Sequence, residues 1–574
     1  MRRSYDSLLR RGHFLGLALT LFGVCFFLLY LSNVQVFPFL FLELGVTSIV
    51  IGIVISFKTL KDDSSTEICF LLAVYAMSFA LSIMLFVRFG AFSGTDNLRE
   101  FRAAQISAVY GWNTPSAISI AGNIENTPYL SCLSTTLLPS ILSLTTGVSL
   151  LSIFEFGLTA IASLRAVLVY LTVKAVFGRR DLAALSAILY SQLYFIIFSY
   201  NMRNAVTTVL LLSAFLVFFK VTKRPSNMRL NFLLLLTFFV TGVVTYYYTI
   251  TYSLIIISAV FTAVVYLDSN ALKKTSKIKL SSNVLKFSIF FSILVLCLSL
   301  AWFSLVPTSP FFENLTALSH FFKPSILSSP YSITTQYITA SPLGPIINSW
   351  FEFGLALAGI GFLILLIEKK KTLQMRMWFA AGGLYLAAFA TTFIPYLYKT
   401  FGGWERVYQL GYVFLCAFTA LAILKLDKKS YGLVLVIFLL LSLPMNLLLP
   451  DSSRYVLYHP ESSVEPYLAV RQSYISNTEF AAAVWIQGHL SANLAITVDQ
   501  RGFYDLYILD NPLYSLTNKL GFQSQYLFLT KFTVKYGLWI PYGGEPMISD
   551  PTPLLNSSNI IYNNGNEMFL EKPN

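Results

Sequence analysis

Charge is what this sequence has least of. Only 12% of its 574 residues are Asp, Glu, Lys or Arg, about half the share of an average soluble domain, ~25%. Hydrophobic residues make up 56%, and the mean hydropathy is +0.67. A water-soluble fold cannot hide that much apolar surface, so lipid must be the solvent for most of the chain. Cysteine is scarce too. The five are Cys25, Cys69, Cys132, Cys297 and Cys416, which excludes a disulfide-stapled C-terminal region. With no CxxC pair and four scattered histidines, a zinc ligand set has no support. Walker A, GxGxxG and GxSxG patterns are missing as well, which removes support for a P-loop ATPase, a Rossmann enzyme and an α/β-hydrolase.

The charge that is present is mostly positive and ordered. The net charge is +13, a value that by itself suggests nucleic acid. Its placement argues otherwise, because 25 of the 40 Lys and Arg fall in seven short segments between apolar runs. These begin with Arg2, Arg3, Arg10 and Arg11, continue through Lys58 and Lys61, Lys174 to Arg180, Lys220 to Arg229, Lys273 to Lys286 and Lys369 to Arg376, and end with Lys425 to Lys429. That is the positive-inside signature of a cytoplasmic membrane face, so no nucleic-acid partner is expected.

The apolar runs predict about thirteen transmembrane helices, near 13–31, 36–57, 69–88, 148–173, 181–200, 204–221, 230–247, 250–267, 285–306, 346–367, 377–398, 408–424 and 431–449. Each is long enough to cross ~30 Å of hydrocarbon. The first reads as a retained signal anchor. An odd count with the N-terminus in the cytoplasm puts the C-terminus outside, and every basic segment then falls inside. Residues 1–450 form the membrane domain of a multi-pass cell (plasma) membrane protein, with long outer loops at 89–147 and 306–348. The stretch around 131–147 is read as an outer-face or re-entrant helix, since a further crossing breaks the charge parity. The sequons at Asn314 and Asn556 both fall on the outer side.

From residue 451 the composition turns polar and mildly acidic, with 7 Lys and Arg against 11 Asp and Glu. A helix over 479–490, strands at 494–498, 526–532 and 559–562, and a second helix near 504–509 predict a small mixed α/β extracytoplasmic domain over 451–574.

On so uncharged an outer side, the few ionisable residues are the candidates for chemistry. Asp96 and Glu100 stand four apart in the first outer loop, on one face if 97 onward is helical. Such a pair can bind a divalent cation, or supply a general base; its plainer role is helix-start capping. Arg203, in the turn 201–204, and Arg406, beside Glu405 in the turn 402–406, suit a phosphate oxyanion at headgroup level, or anchor the interface by snorkelling. Glu43, Glu155, Arg165 and Glu352 lie at or within spans, where ionisable groups are costly and pair or function. The run Tyr246-Tyr247-Tyr248 with Tyr252 is an interface belt or a sugar-stacking platform.

The plan resembles the GT-C class of membrane glycosyltransferases, which use lipid-linked sugars. The likeness rests on the many spans, the acid-bearing first outer loop and the soluble C-terminal domain. It rests also on segments similar to those of a mostly archaeal polytopic family placed near that class. These are Gly94–Phe101, Asn126–Ser131 with Leu137–Pro139, Val244–Tyr247, Glu405–Tyr408, Ala483–Ile486 and Val498–Gly502. Two positions depart from the pattern, since Tyr246 stands where that family usually has His, and the acids read Asp-x-x-x-Glu instead of an Asp-x-Asp-like pair. The resemblance implies transfer of a sugar from a polyprenyl-phosphate-linked donor to an acceptor at the outer face. Asp96 is then the base or metal-coordinating acid, Glu100 its partner, and Arg203 and Arg406 contact the lipid phosphate. A divalent cation, Mg2+ or Mn2+, is the cofactor such a pair accommodates. The competing readings are a lipid or glycan transporter or flippase, and a non-catalytic membrane scaffold.

Overall fold

A computed structural model describes residues 2–31, 38–60, 64–89, 95–123, 127–192, 202–223, 230–273, 278–306, 344–368, 370–392, 404–426, 477–489, 495–498, 513–516 and, with short gaps, 520–572. The chain opens with three long helices, α1 (Arg2–Leu31), α2 (Pro38–Lys58) and α3 (Ser64–Phe89). Four short ones follow, α4 (Thr95–Tyr110), α5 (Pro115–Asn123), α6 (Thr127–Leu130) and α7 (Leu137–Thr146). Next come α8 (Leu150–Ser152), a π-helical turn (Ile153–Leu158), α9 (Thr159–Phe177), α10 (Arg180–Gln192), α11 (Met202–Lys223), α12 (Leu230–Tyr246), α13 (Tyr248–Lys273) and α14 (Ile278–Leu305). The membrane region continues with α15 (Gly344–Ile367), α16 (Leu373–Thr392) and α17 (Trp404–Leu424).

Among the described residues, six helices are long and apolar enough to cross a membrane: 12–29, 64–83, 150–177, 202–223, 248–269 and 283–305. α2, α15, α16 and α17 add helices of 20–24 residues. The chain is an α-helical membrane protein. The thirteenth expected span, 431–449, and most of the second long outer loop, 306–348, lie outside the described residues.

The helices pack through two devices. At the first, glycine removes side chains so that backbones touch. A Cβ on Gly23 of α1 lies 2.7 Å from the Gly45 carbonyl of α2, and a Cβ on Gly52 lies 2.6 Å from that of Gly16. Small residues of this kind let helices approach where lipid gives no hydrophobic push between them. The second is an aromatic cluster. Phe218 stacks on Phe261 and Phe287, and Phe414 packs on Trp378 at 4.7 Å.

Among the described residues, basic side chains of the 174–180 and 369–376 segments pair with acids near helix ends. Glu67, at the start of α3, pairs with Lys174 at 2.5 Å and with Arg180 at 3.7 Å. Arg376 pairs with Asp268. Trp378 meets Phe177 and Phe219, close to Lys174 and Lys220 in sequence.

The described residues between 95 and 146, expected as a long loop, form a layer of helices. These helices, α4 to α7, fold onto the bundle. α4 buries Phe101 and Ala104 against Ile83, Phe154, Leu158, Met202 and Val206. Ala103 and Ile106 of α4 pack on Ala117, Ala121, Tyr129 and Leu130. Trp112 donates to the Leu130 carbonyl at 2.7 Å and stacks on Trp302 of α14 at 5.8 Å. α7 has 10 residues, about 15 Å of helix, half of what a crossing needs. It ends at Gly147, whose φ of 71° is the left-handed cap that glycine supplies without strain. By itself α7 is too short to cross a membrane.

The C-terminal region is a small α/β unit. Its five-stranded sheet has the order β2-β1-β3-β7-β6, built from β1 (Ala495–Val498), β2 (Leu513–Leu516), β3 (Tyr526–Leu529), β6 (Asn559–Asn563) and β7 (Met568–Glu571). β1 pairs in parallel with β2 and β3, while β7 is antiparallel to β3 and β6. A two-stranded ribbon joins β4 (Leu538–Trp539) to β5 (Met547–Ile548). α18 (Asn477–His489) lays Ala482, Ala483 and Ile486 on Ile496, Val498 and Phe528; α19 (Thr552–Ser557) precedes β6. The expected helix and three strands are present, and the expected helix near 504–509 lies outside the described residues.

Candidate functional site

The strongest concentration of buried polar groups lies where the helical layer meets the bundle. An α-helix begins with backbone amides that have no partner within the helix. At the start of α11 two of these amides are capped from another helix. The Met202 amide donates to Asn97 Oδ1 at 3.3 Å, and the Arg203 amide to Glu100 Oε2 at 3.3 Å. Asn97 and Glu100 are one turn apart on α4, so a single face carries both caps. A carboxylate at a helix N-terminus is favoured further by the helix dipole.

Glu100 holds Arg203 a second time, through Arg203 Nε and Glu100 Oε1 at 3.2 Å. The pair is sealed from solvent, with Glu100 at 0% and Arg203 at 4% exposure. The guanidinium lies between two tyrosine rings, 4.4 Å from the centroid of Tyr129 and 4.8 Å from that of Tyr247. Desolvated contacts of this type are worth up to ~2 kcal/mol each. Tyr247 is the single non-helical residue between α12 and α13, and the chain after α6 is tied to that break. The Leu133 amide donates to the Thr245 carbonyl, and the Ser134 hydroxyl to that of Tyr246, both at 3.2 Å. Cys132 is buried beside the pair. Burial pushes its thiol up to about 11, against the pull of the Arg203 charge, so it stays a protonated thiol and not a nucleophile.

The other candidates are distributed as follows. Asp96 occupies the first turn of α4, one residue before Asn97; its side chain lies outside the described residues. Arg203 and Arg406 are not in turns as expected. α11 begins at Met202 and α17 at Trp404, so both arginines sit in first helical turns, and the side chain of Arg406 is outside the described residues. Glu43 is exposed on α2, and the Glu352 side chain is outside the described residues. Arg165 is buried, donates from Nε to the Ala162 carbonyl at 2.8 Å and hydrogen-bonds Tyr190. Glu155 falls in the π-helical turn.

Glu100 was expected to partner Asp96, and Arg203 a lipid phosphate. The fold instead turns Glu100 and Arg203 toward each other. Asn97, Tyr129 and Cys132 complete this cluster, and in the sequence only the segment Asn126–Ser131 and the tyrosine run point to it. Both Glu100 oxygens face Arg203, one at its amide and one at its guanidinium. Among the described residues no three His, Cys, Asp or Glu side chains are grouped to hold a metal. Compared with models of known families and with curated proteins, the chain matches none.

Proposed function

We propose that the chain is a glycosyltransferase that moves a sugar from a polyprenyl-phosphate-linked donor to an acceptor at the outer membrane face. The observation that carries this reading is the capping of α11 by α4. It fixes the turn that bears Asp96 to the rigid bundle. By the positive-inside rule that turn faces outward, where a lipid-linked sugar presents its headgroup.

In this reading Asp96 is the general base. It takes the proton of an acceptor hydroxyl, whose oxygen attacks the anomeric carbon. The bond from that carbon to the carrier phosphate breaks, and the phosphate leaves with the electron pair. Arg406 is the cation assigned to that leaving phosphate. Arg203 and Glu100 are positioning residues, since their charges are spent on each other within the protein. The multi-helix membrane region, the folded helical layer and the resemblance of the Asp96 segment support the assignment.

The deciding experiment supplies radiolabelled polyprenyl-phosphate sugars to membranes containing the protein. The expected result is transfer by the wild type and none by Asp96→Asn at equal expression. Transfer retained by Asp96→Asn removes it as the base, and no transfer from any donor turns the reading toward a transporter or scaffold.

A further inference from the structure

The span Leu150–Phe177 is not a regular helix. Its second and third turns, Ile153–Leu158, are π-helical, a geometry that is rare and frequently marks functional positions. Packing does not require it at Gly157, where an added Cβ meets only Ile153 at ordinary distance, 3.7 Å. What the turn changes is hydrogen bonding. In regular segments nearby, a hydroxyl bonds the carbonyl four residues back, as Ser163 does to Thr159 at 2.7 Å. Thr159 itself follows the π-turn. Its amide goes to the Phe156 carbonyl, and its hydroxyl, 0% exposed, has no hydrogen-bond partner. One turn earlier, Glu155 is half-buried, and its Oε1 is buried without a partner.

Two unpartnered oxygens, one of them a carboxylate's, are costly inside an apolar span. Among the described residues no cation compensates Glu155. α9 carries Arg165, ten residues and ~15 Å further along and turned to the Ala162 carbonyl, and Lys174, paired with Glu67. Arg203 on α11 belongs to Glu100. Tyr75 on α3 donates to the Ala160 carbonyl at 3.2 Å. α7 and α8 bear no charge.

We propose that Glu155 and Thr159 form an intramembrane site for a small monovalent cation, of which Na+ is the one to test. The donors are oxygens, which select hard cations. One carboxylate in a low-dielectric setting balances one positive charge, and a divalent ion keeps an uncompensated charge there. The site is independent of sugar transfer.

The test is thermal unfolding of the purified full-length protein in detergent, with NaCl, KCl or choline chloride at one ionic strength. Wild type is expected to gain a saturable rise of about 1–3 °C with Na+ over choline. Glu155→Gln abolishes that rise and Thr159→Val reduces it. An equal midpoint in all three salts for the wild type overturns the proposal, as does a Na+ effect that survives in Glu155→Gln. A midpoint that follows pH but not Na+ identifies the compensating charge as a proton and also overturns it. Should Glu155→Gln fail to fold, the wild-type salt series and Thr159→Val still decide.

Discussion

Glu100 meets Arg203 twice, once at its backbone amide and once at its guanidinium, and so clamps the first helix of the helical layer to the start of a buried membrane helix. Removing one partner leaves the other charge buried and alone, which costs about 3–5 kcal/mol. Glu100→Gln and Arg203→Met are each expected to lower the unfolding midpoint in detergent. Glu100→Gln also loses sugar transfer, because the turn bearing Asp96 comes loose. The double variant should cost clearly less than the two single losses added, as expected of directly coupled residues. Additive losses disprove the clamp.

The glycines of the bundle divide into two groups. A Cβ at Gly361 lies 1.8 Å from the Phe418 carbonyl, whereas one at Gly354 or Gly359 meets nothing within 4 Å. Gly361→Ala therefore forces α15 away from α17 and is expected to cost at least about 1–3 kcal/mol. Gly359→Ala gains helix propensity, up to ~1 kcal/mol. Unfolding midpoints of the two variants should move in opposite directions. Equal midpoints show that the α15–α17 contact is not backbone-close.

Cys132 offers a pH test of the sealed pocket. Burial pushes its thiol well above the ordinary cysteine range of about 8–9, up to about 11. The folded state then holds its proton more tightly than the unfolded one. This contribution to stability is full below about pH 9 and is lost as pH rises through 11. Cys132→Ser is expected to flatten the alkaline fall in stability, and a maleimide should reach Cys132 at pH 7.5 only after denaturation. Prompt labelling in the native protein disproves the burial.

What sequence made legible follows from how far each signal reaches. The apolar runs are local, and they located the long helices. Strand patterns in the tail located β1, β3 and β6, while β2, with Leu513 and Leu516, and the closing β7 have too little contrast with their surroundings. The cluster at Arg203 was only partly legible. Asn97 and Glu100 look like ordinary first-turn residues, and nothing local says that they cap a helix that starts 105 residues later. Tyr247 stood in a noticed run, but which of three tyrosines turns inward is decided by the break between α12 and α13. The turn expected at Arg203 failed because caps come from elsewhere in the fold, so α11 can begin without a capping side chain of its own.

α7 supplies a last prediction, on where the helical layer touches lipid. Pro139 and Ser140 face inward, Ser140 Oγ donating to the Ala104 carbonyl at 3.1 Å. Ile141 is 47% exposed, Leu144 74% and Val148 43%. The hydroxyls on this surface turn back to the backbone, Thr145 to Ile141 at 2.7 Å and Thr146 to Leu142 at 2.6 Å. A face of apolar side chains and internally satisfied hydroxyls suits the acyl region and not water. A nitroxide attached at Leu144→Cys, in a background without the five native cysteines, should therefore collide with oxygen far more than with a water-soluble nickel chelate in proteoliposomes. The same label at Thr114, whose hydroxyl joins α4 to α5, should show the reverse. A label at 144 that is open to the chelate places α7 in water, and the helical layer then stands clear of the bilayer.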